Sequence, residues 1–338
     1  MTSTPHSRFI ISLDFELYWG VHDAKAVDEY REHLLGVRRA VPAMLELFES
    51  FGIHATWATV GFLFASSRDE LFDHAPKLRP GYANSQFSPY DHAKTIGPDE
   101  TSDPVHFAPS LIDEICQTDG QDIATHTFSH FYCLEDGPTP ETFRADLQSA
   151  IDVAAQRDIE LKSIVFPRNQ LNPRFLSICS ELGITNFRGN RDTWYHQGRN
   201  RDEERLWHRG LRLADAYLPI STTTRDSESE SPAPASSSPV NIPASRFLRP
   251  FSPRLQGLDA IRARRIRNEM TDAARAGRDY HLWWHPHNFG QYLDQNLSFL
   301  NDILIHYQSL RDRFAMTTAT MAEAADMILP THVEDSYA

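Results

Sequence analysis

A chain of 338 residues with 41% hydrophobic and 23% charged side chains has the composition of a soluble globular protein, long enough for one large domain or two ordinary ones. Its formal net charge of −13 speaks against a nucleic-acid or anionic-membrane surface, which would need clustered Lys and Arg, and no apolar run reaches bilayer-spanning length. Cys116, Cys133 and Cys179 are odd in number with no CxxC spacing, and the N-terminus shows no leader-like pattern; both features point to reduced thiols in a cytoplasmic protein.

In chain order, "RFIISLDF" (8–15) reads as a buried first strand, followed by an amphipathic helix near 27–51 that Pro42 is expected to bend or divide. "IHATWATV" (53–60) is a second strand, "DIATH" (122–126) a third and "KSIVFP" (162–167) a fourth. "ITNFR" (184–188), "YHLWWH" (280–285) and "FAMTT" (314–318) follow. Helix signals lie between them: Thr139 with Pro140, Asn172 with Pro173 and a stop at Gly183, and a capping box from Thr320 and Glu323. Strands alternating with helices imply an α/β fold with a parallel sheet and right-handed crossovers, and seven or so strands favour a barrel. The whole chain, 1–338, reads as one domain with two interruptions. Residues 78–107, rich in Pro, Gly, Asp and His, form a long loop of the kind that is usually functional or disordered. Residues 221–240 are low-complexity Ser, Pro and Glu, unable to bury a core.

The polar residues at strand ends carry the chemistry. Asp14 and Glu16, two apart in "SLDFELYWG", share one face at the carboxyl end of the first strand, where α/β barrels place active sites. A surface turn would explain them too, but a buried strand leads into them, and ionised groups there need a metal or a partner. His126 and His130 in "HTFSH" stand four apart. With sixteen histidines in the chain, roughly 0.8 such pairs arise by shuffling, so the spacing alone decides nothing. Their place after a strand does more: if the chain turns helical after His126, both imidazoles reach one divalent ion, and two histidines with one carboxylate make a hydrolytic ligand set. Arg168 stands in "VFPRNQ", and His285, His287 and Asn288 in "HLWWHPHN", while His281 is placed in the core below the site. Arg188, Asp192 and Trp194 follow the fifth strand in a run that is equally readable as a plain loop. Carboxylates, a histidine pair, an arginine and a further histidine thus converge on the carboxyl ends of separate strands, as in a metal hydrolase on a barrel rim.

In this order the residues resemble the NodB-homology polysaccharide deacetylases, carbohydrate esterase family four, over about residues 8–330. "HTFSH" with its "DGQDIAT" lead-in is the most specific match; "FPRNQ", "NRDTW" and "LWWHPHN" match more loosely. "SLDFEL" has an acid-x-acid arrangement where most members carry adjacent aspartates. The resemblance implies a distorted (β/α)7 barrel and removal of an N-acetyl group from a sugar or polysaccharide precursor by a cytoplasmic branch of the family. It implies Asp14 as base, with the ligand role open between Asp14 and Glu16 and assigned to Glu16, beside His126 and His130. Arg168 is expected to orient the catalytic carboxylate, with backbone amides after it as an oxyanion site, and His285 to act as general acid. Zn is the expected ion, with Co, Ni or Fe as substitutes. Trp19, Arg188, Asp192, Trp194, His287 and Asn288 are expected to contact an N-acetylated sugar or glycan; no nucleic-acid partner is expected. A cyclic-amide or formamide hydrolase, or an inactive carbohydrate-binding relative, is the alternative reading.

Overall fold

A computed structural model describes residues 7–190, 215 and 238–328. The expectations for Asp192, Trp194 and residues 221–237 fall outside these. Among the described residues nine strands form one sheet, every pair parallel: β1 (Arg8–Phe15), β2 (Ala55–Thr59), β3 (Gln121–Thr125), β4 (Ser163–Ile164), β5 (Asn186–Phe187), β6 (Val240–Asn241), β7 (Arg246–Phe247), β8 (Tyr280–Trp284) and β9 (Thr317–Ala319). Their order is β6-β5-β4-β3-β2-β1-β8-β7, with β9 also on β1.

The two ends of that order are consecutive pieces of a single stretch. Ile242 N and Ala244 N donate to Phe187 O and Gly189 O beyond β5, while Ser245 N and Leu248 N donate to His281 O and Trp283 O on β8. One bent segment therefore bonds to both sides and closes a ring of seven strand positions. Pro243, with no N–H to give, stands at the changeover. This is the distorted (β/α)7 barrel that the resemblance implies. Its closing segment "VNIPASRFL" was not foreseen as strand, because it pairs for only two residues at a time. β4 and β5 are likewise shorter than the runs 162–167 and 184–188 that suggested them.

β1 is buried on both faces, as a central parallel strand must be. Phe9, Ile11, Leu13 and Phe15 face the helical layer, while Ile10 joins Ala58, Ala124, Val165, Val240 and Ile242 inside the barrel. On that inner face Ser12 and Asp14 follow Ile10 at a spacing of two, which carries the polar residues up to the rim. The floor is closed by helix Met321–Asp326, capped by the Thr320–Glu323 box the sequence announces. The first long helix, Val27–Phe51, runs uninterrupted through Pro42, so the proline does not divide it. It approaches the turn after β8 closely: a Cβ on Gly36 would stand 2.0 Å from Gly290 O.

Residues 78–107 are more ordered than a bare loop. They contain a 3-10 turn, Ser85–Phe87, and a short helix, Tyr90–Ala93, and they bury Tyr82, Phe87, Tyr90 and Phe107. All three cysteines are free thiols. Among the described residues no helix is long and apolar enough to cross a membrane.

Candidate active site and metal centre

At the rim, the two carboxylates of "LDFEL" part company. Asp14 ends β1 on the inner face and is held by Arg188, whose Nη1 and Nη2 donate to its two oxygens at 2.6 and 2.8 Å. Arg188 also donates to Ser12 Oγ (3.0 Å) and Asn169 Oδ1 (3.0 Å), and its guanidinium lies 4.1 Å from the ring centre of Trp283. Ser12 Oγ, an acceptor for Arg188, also shares a 2.8 Å hydrogen bond with His281 Nε2. Burial and the Arg188 charge hold His281 down to about 3, hence neutral. Burial works to raise the Asp14 carboxyl, but Arg188, with help from His126, brings it below its ordinary value.

Glu16 turns to the histidines. Its Oε2 lies 3.0 Å from His130 Nε2 and 3.3 Å from His126 Nε2, while Oε1 lies 3.5 Å from His285 Nε2. Burial would raise this carboxyl; His285, His126 and His130 together push it well below the usual range. Space for the group comes from Gly20, where a Cβ would stand 2.0 Å from the Glu16 carboxyl.

The histidines do not meet through a helix, as their spacing suggested. Residues 126–130 form a tight loop in which Thr127 (φ 63°) and His130 (φ 55°) take the left-handed conformation, bringing the two rings to 5.1 Å between centres. Thr127 steadies the loop, accepting from Phe131 N (2.7 Å) and donating to His126 O (2.6 Å). His126, 1% exposed, has no hydrogen-bond partner on either ring nitrogen, and His130 has none on Nδ1. One ligand atom each from Glu16, His126 and His130 fall within 4.8 Å of one another. Orphaned imidazole nitrogens around a buried carboxylate are costly by themselves, and a divalent ion is what such an N, N, O set accommodates. The residues fit the expected metal.

His285 stands half-buried between the carboxylates, its Nε2 3.8 Å from Asp14 Oδ2. Asn288 Nδ2 lies 3.4 Å from its Nδ1, and its Nε2 faces the carboxylates. His287 is buried beneath, stacked on His285 at 5.0 Å and held neutral, down to about 3, by burial and the neighbouring His285.

No family model and no curated protein matches the chain. Among solved structures, a Mycobacterium smegmatis protein assigned as a polysaccharide deacetylase superposes with a TM-score of 0.58 at 14% identity, covering 97% of this chain and 92% of the other. A Pseudomonas aeruginosa PAO1 protein assigned likewise gives 0.52 at 12%, covering 100% and 97%. An allantoinase gives 0.53 at 12%, covering 100% and 96%. The fold is that of the polysaccharide-deacetylase barrels.

Within this deacetylase-type barrel several expectations change. Arg168 does not reach Asp14. It and Asn169 both have φ 54°, and this double left-handed turn sends Arg168 to Asp23 (2.5 and 2.6 Å) and over the Tyr132 ring, leaving Asn169 to bind Arg188. Arg188, expected at the substrate, is the arginine paired with Asp14. The amides after Arg168 are no open oxyanion site: Asn169 N and Gln170 N close the turn onto Phe166 O and Pro167 O. Trp19 is core, fully buried with Nε1 donating to His106 O (2.9 Å), so it is no sugar platform. His287 supports His285 from below rather than facing the rim. Among the described residues, Trp283 is the partly exposed tryptophan at the site.

Ser12, Asn169, Asp23 and Asp146 were missed. Ser12 was legible, since it shares a strand face with Asp14. Asp146 left a fainter signal, a carboxylate on the apolar stripe of Phe143, Leu147 and Ala150. Asp23, also bonded by Tyr132 Oη, lines a cleft of about 560 Å³ walled partly by Gln86 and His92 of the 78–107 segment.

Proposed function

We propose that the chain is a metal-dependent hydrolase that removes an N-acetyl group from a sugar or glycan precursor in the cytoplasm, and that it belongs to the NodB-homology deacetylases. The observation that carries this reading is the division of labour between two carboxylates at one rim: Glu16 with a histidine pair that has orphaned nitrogens, and Asp14 with a buried arginine.

Glu16, His126 and His130 would hold a divalent ion, Zn in the first instance. Such an ion supplies Lewis acidity toward an acyl oxygen and acidifies water. Asp14, kept ionised by Arg188, is the base that takes the proton of the attacking water. His285, whose Nε2 faces the same rim, is the general acid that gives a proton to the departing nitrogen. Trp283, partly exposed beside these groups, would contact the sugar.

The test is acetate release from N-acetylated sugar precursors with and without a chelator, together with elemental analysis. Chelation should abolish release and added divalent ion restore it. Asp14→Asn should abolish turnover with metal retained, whereas Glu16→Ala should lose the metal. Loss of metal in Asp14→Asn would exchange the two roles. The allantoinase neighbour favours one second reading, hydrolysis of a cyclic amide on the same barrel; a ring-opened product without acetate would establish it.

A further inference from the structure

The loop that brings the histidines together needs something to hold it, because two of its residues sit in a conformation that side chains disfavour. Its carbonyls are held by the turn after β2: Gly61 N donates to Thr127 O (2.9 Å) and Phe62 N to Phe128 O (3.0 Å). Its amides are held from the other side by one carboxylate. Asp146, fully buried in helix Pro140–Ala155, accepts from Phe128 N (2.8 Å), Ser129 N (3.4 Å) and the Ser129 hydroxyl. Among the described residues no Lys, Arg or His forms an ion pair with it. Phe128 and Ser129 are themselves buried, so without this carboxylate their amides would face neither water nor protein.

We propose that Asp146 is a positioning residue for the metal centre, a buried carboxylate that fixes loop 127–129 in the one shape that lets His126 and His130 face Glu16 together. The inference rests on the reading of Glu16, His126 and His130 as ligands. Asp146 touches neither metal nor substrate and acts through the loop backbone.

The test is Co(II) titration of the intact protein, read from the ion's visible absorption, with hydrogen exchange at the amides of residues 128 and 129 as a readout that needs no metal. Asp146→Ala should weaken Co(II) binding 10- to 100-fold, the range for groups that orient ligands, and speed exchange at both amides. Asp146→Asn keeps an oxygen for the amides and a donor for Ser129, and should stay within about threefold of the parent. Leu147→Ala, a core truncation one residue on, controls for general loss of stability and should leave Co(II) affinity unchanged. Parent-like Co(II) binding by Asp146→Ala overturns the proposal, as does an equal loss in Leu147→Ala. Should Asp146→Ala not fold, Asp146→Glu displaces the carboxylate by one methylene, and parent-like binding by that variant overturns it equally. A protein that binds Co(II) but releases no acetate refutes the deacetylase reading alone. A parent protein that binds no Co(II) refutes the metal centre, leaving the exchange result to decide whether Asp146 holds the loop.

Discussion

Replacing Arg188 by Met tests the centre of the structural argument. The side chain of Arg188 is fully buried and that of Asp14 is 5% exposed, and the two share a bidentate pair. Methionine keeps the bulk but leaves Asp14 with no cation in direct contact, and strands acceptors at Ser12 and Asn169. Breaking a buried pair from one side costs about 3–5 kcal/mol, because the surviving charge stays desolvated. Removing both charges, in Asp14→Asn/Arg188→Met, should recover part of that loss, with a coupling of about 0.5–3 kcal/mol. Urea denaturation followed by tryptophan fluorescence measures all four corners of the cycle, and Trp283 on the guanidinium is a local reporter. Turnover of Arg188→Met should fall by about 10²-fold or more, since the base loses the charge that keeps it ionised. Arg168→Met, acting on Asp23 and on the Tyr132 and Phe87 rings, should leave Asp14 intact and turnover far less affected. A stability loss below about 1 kcal/mol for Arg188→Met, or Arg168→Met as the more damaging change, would refute this account.

Further expectations follow from the same geometry. Gly20→Ala pushes a methyl into the Glu16 carboxyl and should weaken metal binding about 10-fold or more in a competition assay with a chromophoric chelator, provided that Glu16 is a ligand; unchanged affinity would exclude it. Gly36→Ala drives a methyl into the backbone of Gly290 and should destabilise by about 1–3 kcal/mol, measured by thermal unfolding; a neutral result would mean the 27–51 helix can move away from the β8 turn. At the barrel floor, burial and the nearby Glu323 raise Asp122 from an ordinary 3.8 to about 7. The folded state thus holds this proton more tightly than the unfolded chain, so the stability linked to Asp122 is complete below about pH 4 and lost as pH rises through about 7. Asp122→Asn removes that slope, and its melting temperature relative to the parent should be higher at pH 8 than at pH 4.5; a pH-independent difference would refute the shift.

How far the site was legible differs from residue to residue. Asp14, Glu16, His126 and His285 were legible as rim residues because each lies at the end of a strand whose pattern is plain, with His130 in the loop that follows one, and a parallel barrel gathers such ends at one rim. The arginine was misplaced for a local reason. Arg168 follows its strand as expected, but a double left-handed turn, which leaves no mark in hydrophobic periodicity, turns it away. Trp19 was misjudged because an indole reads the same whether it lines a cleft or fills a core; its hydrogen bond to His106 O, 87 residues away, decides.

What the sequence by itself determined is whatever periodicity and punctuation encode. That covers the buried first strand, the alternation of strands and helices, the capping boxes, and the polar residues left at strand ends. These are local properties, carried by neighbours within a turn or a strand's length. The tertiary structure decided which carboxylate faces the histidines, which arginine neutralises the other, and how one proline-bent segment closes the ring. Those outcomes depend on groups more than a hundred residues apart competing for the same buried space, Glu16 with His130 and Asp14 with Arg188. Only the closed barrel brings them into competition.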